Sequence, residues 1–310
     1  MGKKPVQIRY RSTNAKDTAF AMFAYSKLPF YILVLHTIAV DISTLKTDGF
    51  VRVTYPDALR TSVHSAMDSW KNFCALPSEE KLALSKNDRL RDFGYMLRKD
   101  SGPRADHKEL FHVSKKDIEE LKIRTAKIKD NRASAFIFAI DHLIDASVPL
   151  VREFARAISA QYSLSDFETR VIQSKDRWTY RYLHYFGGDI LAHAHTDRGD
   201  FTLHLNESHP GGECLNYEGT WTPWPVSNEE TVIFPGMGLQ YLSESRLKAL
   251  CHRVQPLPET KNTGRYSMVA FIDIDLPFRY NDKAKRLQDF KPGFNYTIPH
   301  EEFKRLFVPY

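Results

Sequence analysis

Cysteine is scarce in this chain: of 310 residues only Cys74, Cys214 and Cys251 are cysteines, far apart and forming no CxxC pair. That excludes a disulfide-stapled scaffold and a thiolate zinc site, and it fits a reducing, cytoplasmic setting. No apolar run reaches the roughly 20 residues needed to cross a bilayer. The longest, LPFYILVLHTIAV at 28–40, carries His36 inside it and reads as a buried strand. Lys3 and Lys4 are followed closely by neither an apolar segment nor a small-residue cleavage site, so a secretory leader and a membrane partner are not expected. Basic clusters are missing as well. The net charge is +6, yet Lys and Arg are interleaved with acids, as in LPSEEKLALSKNDRLRDF at 76–93. This is the pattern of a solvated helical face rather than a phosphate-binding stripe, and nucleic acid is not an expected partner. A mildly positive protein is better suited to attracting a small dianion. Internal repeats, low-complexity segments and an HExxH pair are absent too, the last arguing against a zinc hydrolase.

What is present is a composition of 42% hydrophobic and 13% aromatic residues, ample for a core. Residues 28–54 read as strands. Pro56 to Leu76 reads as a helix whose Leu59, Val63, Met67, Trp70, Phe73 and Cys74 recur at three and four. SEEKLALS follows with Ser78 as the expected N-cap, then 87–114 as loop with short strands. Asn131 to Ser163 is the longest helical pattern, with Pro149 expected to kink or break it. Between Lys175 and Asp275 the texture changes to short aromatic and β-branched runs punctuated by GGD, HPGGE, PGMG and KNTG. The tail carries one short helix candidate, HEEFKRLF. Helices first and many short strands later predict an α+β fold around one β-barrel. We expect a single domain over 1–310: a mostly helical part with early strands at 1–170, a barrel core at 171–280 and a tail at 281–310.

The chemistry concentrates in AHAHTDRGDFTLHL, residues 192–205. Successive side chains of a strand point to opposite faces, so His195 and Asp197 project to one side and offer an imidazole and a carboxylate to one metal ion. A third ligand must come from another strand, and His252 in LKALCHRVQPL is the strongest candidate. Two histidines and a carboxylate on one face of a metal suit non-haem Fe(II) oxygen chemistry. Thirteen residues beyond His252, Arg265 and Ser267 again lie two apart on a strand, where a guanidinium beside a hydroxyl makes a carboxylate clamp.

Taken together, HTDRGDFTLHL, GGECLNYEGTWTPW, CHRV and GRYSMVAFI resemble the isopenicillin-N-synthase-like branch of the Fe(II)- and 2-oxoglutarate-dependent dioxygenases. VDIS, DGFVRV, FCALPSEEKLAL, FGYM and DHKELFHV are similar in order to that family's N-terminal half, so the resemblance covers about residues 30 to 300. It implies a double-stranded β-helix, or jelly-roll, surrounded by the N-terminal helices, with Fe(II) held by His195, Asp197 and His252. It further implies that Arg265 and Ser267 clamp the distal carboxylate of 2-oxoglutarate, assisted by Tyr185 in RYLHYF, with Tyr182 in reserve. O2 would be the other cosubstrate, succinate and CO2 the by-products, and the outcome hydroxylation, desaturation or ring closure at an unactivated C–H bond. Two other readings stand beside this. One is an iron oxidase on the same scaffold that uses Arg265 and Ser267 to hold a carboxylate of its substrate; the other is a silent binding protein that keeps the barrel for packing.

Tyr182, His184, Arg198, Thr202 and Phe271 lie near the proposed ligands in sequence and are the candidates for substrate contact. Arg98 and Arg104 lie in a region that could cover the entrance, although solvated surface is the simpler role. The substrate is expected to be a small metabolite, amino-acid-derived or otherwise carboxylate-bearing, and the protein a monomer. The family's NHG is TYP here at 54–56, its proline pair is Phe186-Gly187, and its GGL is Gly211-Gly212-Glu213. None of these departures replaces a ligand.

Overall fold

The β-rich texture after residue 175 resolves, in a computed structural model, into two facing antiparallel sheets; the structure describes residues 40–88, 91–98, 107–187, 192–224, 227–281 and 291–309. In chain order the strands are β1 (Val51–Thr54), β2 (Ser85–Asp88), β3 (Arg91–Arg98), β4 (Lys108–Val113), β5 (Thr179–Tyr185), β6 (Ala192–Thr196) and β7 (Phe201–Glu207). They continue with β8 (Gly212–Leu215), β9 (Trp221–Pro223), β10 (Glu230–Pro235), β11 (Cys251–Val254), β12 (Arg265–Ile272), β13 (Phe278–Tyr280) and β14 (Phe307–Pro309). The large sheet runs β1-β10-β7-β12-β5-β4-β3-β2 and the small one β6-β11-β8-β9, with β13 and β14 paired separately. This is the jelly-roll arrangement, and the fold is α+β as expected. Leu110, Leu183 and Tyr185 of the large sheet pack with Val254 and Ala192 of the small one, closing one side of the space between the sheets.

The other face of the large sheet is covered by helices. Among them α1 (Asp57–Cys74), α2 (Ser78–Leu82), α3 (Ile118–Thr125) and α4 (Asn131–Tyr162) come from the N-terminal half. The periodic residues of α1 face inward: Trp70 and Phe73 stack at 5.6 Å, and Phe136 of α4 lies 5.3 Å from Trp70 and 5.0 Å from Tyr182 of β5. The Trp70 indole also donates to the Leu183 carbonyl at 3.1 Å, tying α1 to β5.

Three local expectations are corrected. The N-cap of α2 is Pro77 and Ser78 is its first helical residue; no side-chain cap forms, because proline has no side-chain oxygen to accept from the first-turn N–H groups. The break expected at Pro149 does not occur, and α4 runs through it for 32 residues. The lost hydrogen bond and ring clash cost about 3 kcal/mol, but α4 buries fourteen residues along one stripe, and each large apolar side chain contributes about 1.5–3 kcal/mol. The segment at 87–114 contains two full strands, β3 and β4, rather than fragments in a loop. By length and composition α4 could cross a membrane, but here its apolar stripe packs in the core. The strand expected at 28–40 lies, apart from residue 40, outside the described residues, as does Arg104.

Candidate active site

Strand pairing brings the two histidines together. On the small sheet His252 of β11 is the direct cross-strand partner of His195 of β6, and their rings lie 4.3 Å apart. Asp197 follows β6 by one residue, with its Oδ1 3.7 Å from His195 Nε2 and 4.0 Å from His252 Nε2. Each imidazole has its tautomer fixed from behind. Nδ1 of His195 contacts the His193 carbonyl at 2.7 Å and Nδ1 of His252 the Leu250 carbonyl at 3.1 Å. A carbonyl only accepts, so both Nδ1 atoms carry hydrogen and both Nε2 lone pairs face the common point, as ligand histidines require. Asp197 is oriented in the same way, its Oδ2 accepting from Thr202 Oγ1 at 2.6 Å and leaving Oδ1 for the ion. Burial and the adjacent His195 push His252 down to about 4, which keeps it a neutral donor. Burial opposes ionisation of Asp197, but His252, His195 and the Thr202 hydroxyl hold its carboxyl below the usual range.

The large sheet supplies the opposite wall through alternate residues of β12, β5, β4 and β3. Its register sets Arg265, Tyr185, Lys108 and Arg98 in one row, Ser267, Leu183, Leu110 and Met96 in the next, and Val269, Arg181, His112 and Gly94 in a third. Gly264 opens β12 with φ +74, and a Cβ there would lie 2.0 Å from the Tyr185 carbonyl, so only glycine lets β12 enter beside β5 at the row containing Arg265. Between the sheets lies a cavity of about 450 Å³ that reaches His195, Asp197, His252, Arg265 and Ser267.

Arg265 is fully buried. Its Nη2 donates to Glu207 and, at 3.1 Å, to the His209 carbonyl, while its Nε and Nη1 have no partner among the described residues. Buried guanidinium donors without acceptors are costly, and a carboxylate in the cavity would satisfy them. The residues therefore fit both groups: three convergent donors of the type that suits Fe(II), and beside them a clamp with open donors for an organic acid.

The structure separates the remaining candidates by strand parity. Tyr185 joins Arg265 and Ser267 at the cavity, and Thr202 and Phe271 also line it. Tyr182 and His184 do not: they point to the helical face, because residues 180, 182 and 184 alternate with 181, 183 and 185. Tyr182 packs against Trp70 and Phe136. His184 is hydrogen-bonded to Glu109 at 2.8 Å and stacks on Tyr266 at 4.1 Å. Arg198 lies over the Tyr280 ring in a separate cavity of about 310 Å³. Arg98, by contrast, lines the mouth of the metal-side cavity. Missed in the sequence were Lys108, Arg181, His204 and Trp224, all of which line it. Parity could have found two of them, since Arg181 shares a face with Tyr185 and His204 with Thr202; nothing local marks Lys108 or Trp224.

A second cluster, Cys74, Glu109 and His184, also has its donor atoms within 4.8 Å of one another. There Glu109 already accepts from Lys81 Nζ at 2.6 Å and from the Tyr95 hydroxyl at 2.8 Å, so an ammonium fills the place a cation would take. Burial acts to raise the Glu109 carboxyl, but His184, Lys81 and Tyr95 overcome it and bring it down to about 2.

Comparison with known proteins finds similarity in both halves of the chain. The sequence profile of the 2OG-Fe(II) oxygenase superfamily matches residues 179–274, and that of the non-haem dioxygenase in morphine synthesis N-terminal region matches 42–133. The 2-oxoglutarate-dependent dioxygenase citB of Monascus ruber is 28% identical over 125 residues, 40% of this chain and 37% of that protein. Clavatol oxidase claD of Penicillium crustosum is 32% identical over 31% of this chain and 28% of its own length. These matches thus span about a third of the curated relatives. Among solved structures, a 2OG-Fe(II) oxygenase family protein from Caulobacter crescentus superposes with TM-score 0.63 at 25% identity, covering 85% of this chain and 90% of that one. A full-length Neurospora crassa protein, solved in complex with alpha-KG and 5-formyluracil, gives TM-score 0.64 at 20% identity, covering 86% and 84%.

Proposed function

This chain belongs to the 2OG-Fe(II) oxygenase superfamily, and from that premise we propose that it is a non-haem Fe(II)- and 2-oxoglutarate-dependent dioxygenase that oxidises an unactivated C–H bond of a small-molecule metabolite. The observation that carries this reading is the meeting of His195, Asp197 and His252 donors beside a buried Arg265 with two unpartnered donors. His195, Asp197 and His252 would hold Fe(II), and Arg265 with Ser267 and Tyr185 would hold the distal carboxylate of 2-oxoglutarate. The bound iron supplies the activation of O2 that the side chains cannot. The protein's own part is orientation: carbonyls fix the two imidazoles, Thr202 fixes Asp197, and the Trp224 and Phe234 rings pack against His252.

The metal and clamp residues all fall within 171–280, which we assign as the catalytic core of one dioxygenase domain over 1–310. We take the protein to act as a cytoplasmic monomer on an amino-acid-derived or other carboxylate-bearing substrate. The test is succinate release with Fe(II), ascorbate, 2-oxoglutarate and a metabolite pool. Stoichiometric succinate that depends on Asp197 supports the reading. Substrate turnover without succinate would assign Arg265 and Ser267 to the substrate instead, as in an iron oxidase that needs no 2-oxoglutarate.

A further inference from the structure

The cavity wall carries cationic side chains to which the proposed reaction gives no role. Among the described residues that line it, Asp197 is the single acid, against Arg98, Lys108, Arg181 and Arg265. Arg265 is accounted for by Glu207 behind it and by the 2-oxoglutarate carboxylate it would face. Asp197 and the other carboxylate of 2-oxoglutarate together offset an Fe(II) ion. Arg98, Lys108 and Arg181 have no part in that reaction.

Their placement is ordered. Arg98, Lys108 and Tyr185 lie in the same row as Arg265, so cations lead inward from the exposed Arg98 at the rim to the buried Lys108. Arg181 lies two rows along β5 from that row, and its positive charge is felt at Asp197. Its guanidinium is held in place by the His112 ring, to which Nε donates, and by the Phe271 ring, whose centre lies 4.6 Å from Cζ. A guanidinium fixed in this way against a cavity wall is suited to hold a carboxylate in one orientation.

We propose that Arg181 anchors a carboxylate of the substrate at a second anion subsite, separate from the Arg265 clamp, and that Lys108 and Arg98 draw that anion inward. The subsite selects small organic acids whose apolar body lies along Phe271, Phe234 and Trp224. This deepens the dioxygenase reading and rests on it for the role of Arg265, but its test does not need turnover.

The probes are 3-phenylpropanoate and the neutral 3-phenylpropanamide, titrated calorimetrically into the full chain, both metal-free and loaded anaerobically with Fe(II) and 2-oxoglutarate. The acid is expected to bind at least about tenfold more tightly than the amide in both forms, as a charge-assisted contact gives. Arg181→Gln reduces that preference to below about twofold, Arg181→Lys retains part of it, and Arg265→Gln leaves it intact in the metal-free protein while weakening 2-oxoglutarate binding roughly 100-fold. Thermal melts of the variants confirm that each is folded. Equal binding of acid and amide by the wild type, survival of the preference in Arg181→Gln, or displacement of the acid by 2-oxoglutarate would each overturn the proposal. An intact preference without 2-oxoglutarate binding or succinate release would instead sink the dioxygenase reading and leave the subsite standing.

Discussion

The two faces of strand β5 carry opposite chemistry on alternate residues. Toward the helices, Tyr180 is hydrogen-bonded to Ser147, His184 to Glu109, and Glu109 in turn to Lys81 and Tyr95. Toward the cavity lie Arg181 and Tyr185, with Arg265 and Ser267 on the neighbouring strand, and there the buried Arg265 guanidinium has donors left without acceptors. Both faces are buried, so the contrast is not one of core against surface. It separates polar groups that complete one another, and so hold the fold, from polar groups that await a ligand. Tyr182 is the exception that sharpens the point: its hydroxyl is buried and unpartnered on the helical face, among aromatic rings, where no ligand can reach it.

The strongest way to break this contrast is on the cavity side. Asp197→Ala should remove tight Fe(II) binding, read by metal content after gel filtration, while the fold survives because the substitution keeps the backbone carbonyl that accepts from Met237 and removes a side chain whose hydrogen bond is to Thr202. Arg265→Gln should weaken 2-oxoglutarate by about 3 kcal/mol, roughly 100-fold in Kd, the loss expected when a buried charge pair loses its cation. On the helical face the expected effect is on stability instead. Glu109→Gln should cost about 3 kcal/mol at pH 7 in denaturant unfolding, with 2-oxoglutarate affinity unchanged. Because the folded carboxyl is held down to about 2, its contribution is fully present above the unfolded value of about 4.3 and is lost as the pH falls toward 2. Wild type and variant should therefore converge in stability across that window. The smallest effect belongs to Tyr182→Phe, which removes an unpaired hydroxyl and should change stability by less than about 1 kcal/mol. It should leave the KM for 2-oxoglutarate unaltered, whereas Tyr185→Phe raises it severalfold.

How far the sequence carried depended on whether a feature was periodic. His195 and Asp197 were legible as a pair because two-residue spacing on a strand leaves little freedom, and Arg265 with Ser267 for the same reason. The pairing of His252 with His195 was not spaced in the sequence: the β-like run LKALCHRVQPL marked His252 as the strongest candidate, but the register of β11 on β6 that joins the two is set by tertiary pairing. Proximity in sequence misled for Tyr182 and His184, each one residue from a cavity-facing neighbour and therefore on the wrong face. It misled for Arg198 too, which follows Asp197 but turns to Tyr280. Pro149 failed as a helix breaker because tertiary burial along α4 outweighs its local cost. Lys108 had no local mark at all, since its place beside Tyr185 is set by the pairing of β4 with β5.

The central claim is that three separated side chains converge on one iron next to an arginine that receives an organic acid. Anaerobic titration of the purified protein with Fe(II) and then 2-oxoglutarate, followed by visible absorption, tests it directly. A metal-to-2-oxoglutarate charge-transfer band should appear at one equivalent of each in the wild type. It should be absent in His252→Ala, and in Arg265→Gln it should need roughly 100-fold more 2-oxoglutarate. A wild-type protein that binds Fe(II) but gives no band at saturating 2-oxoglutarate, or a band unchanged in His252→Ala, would contradict it.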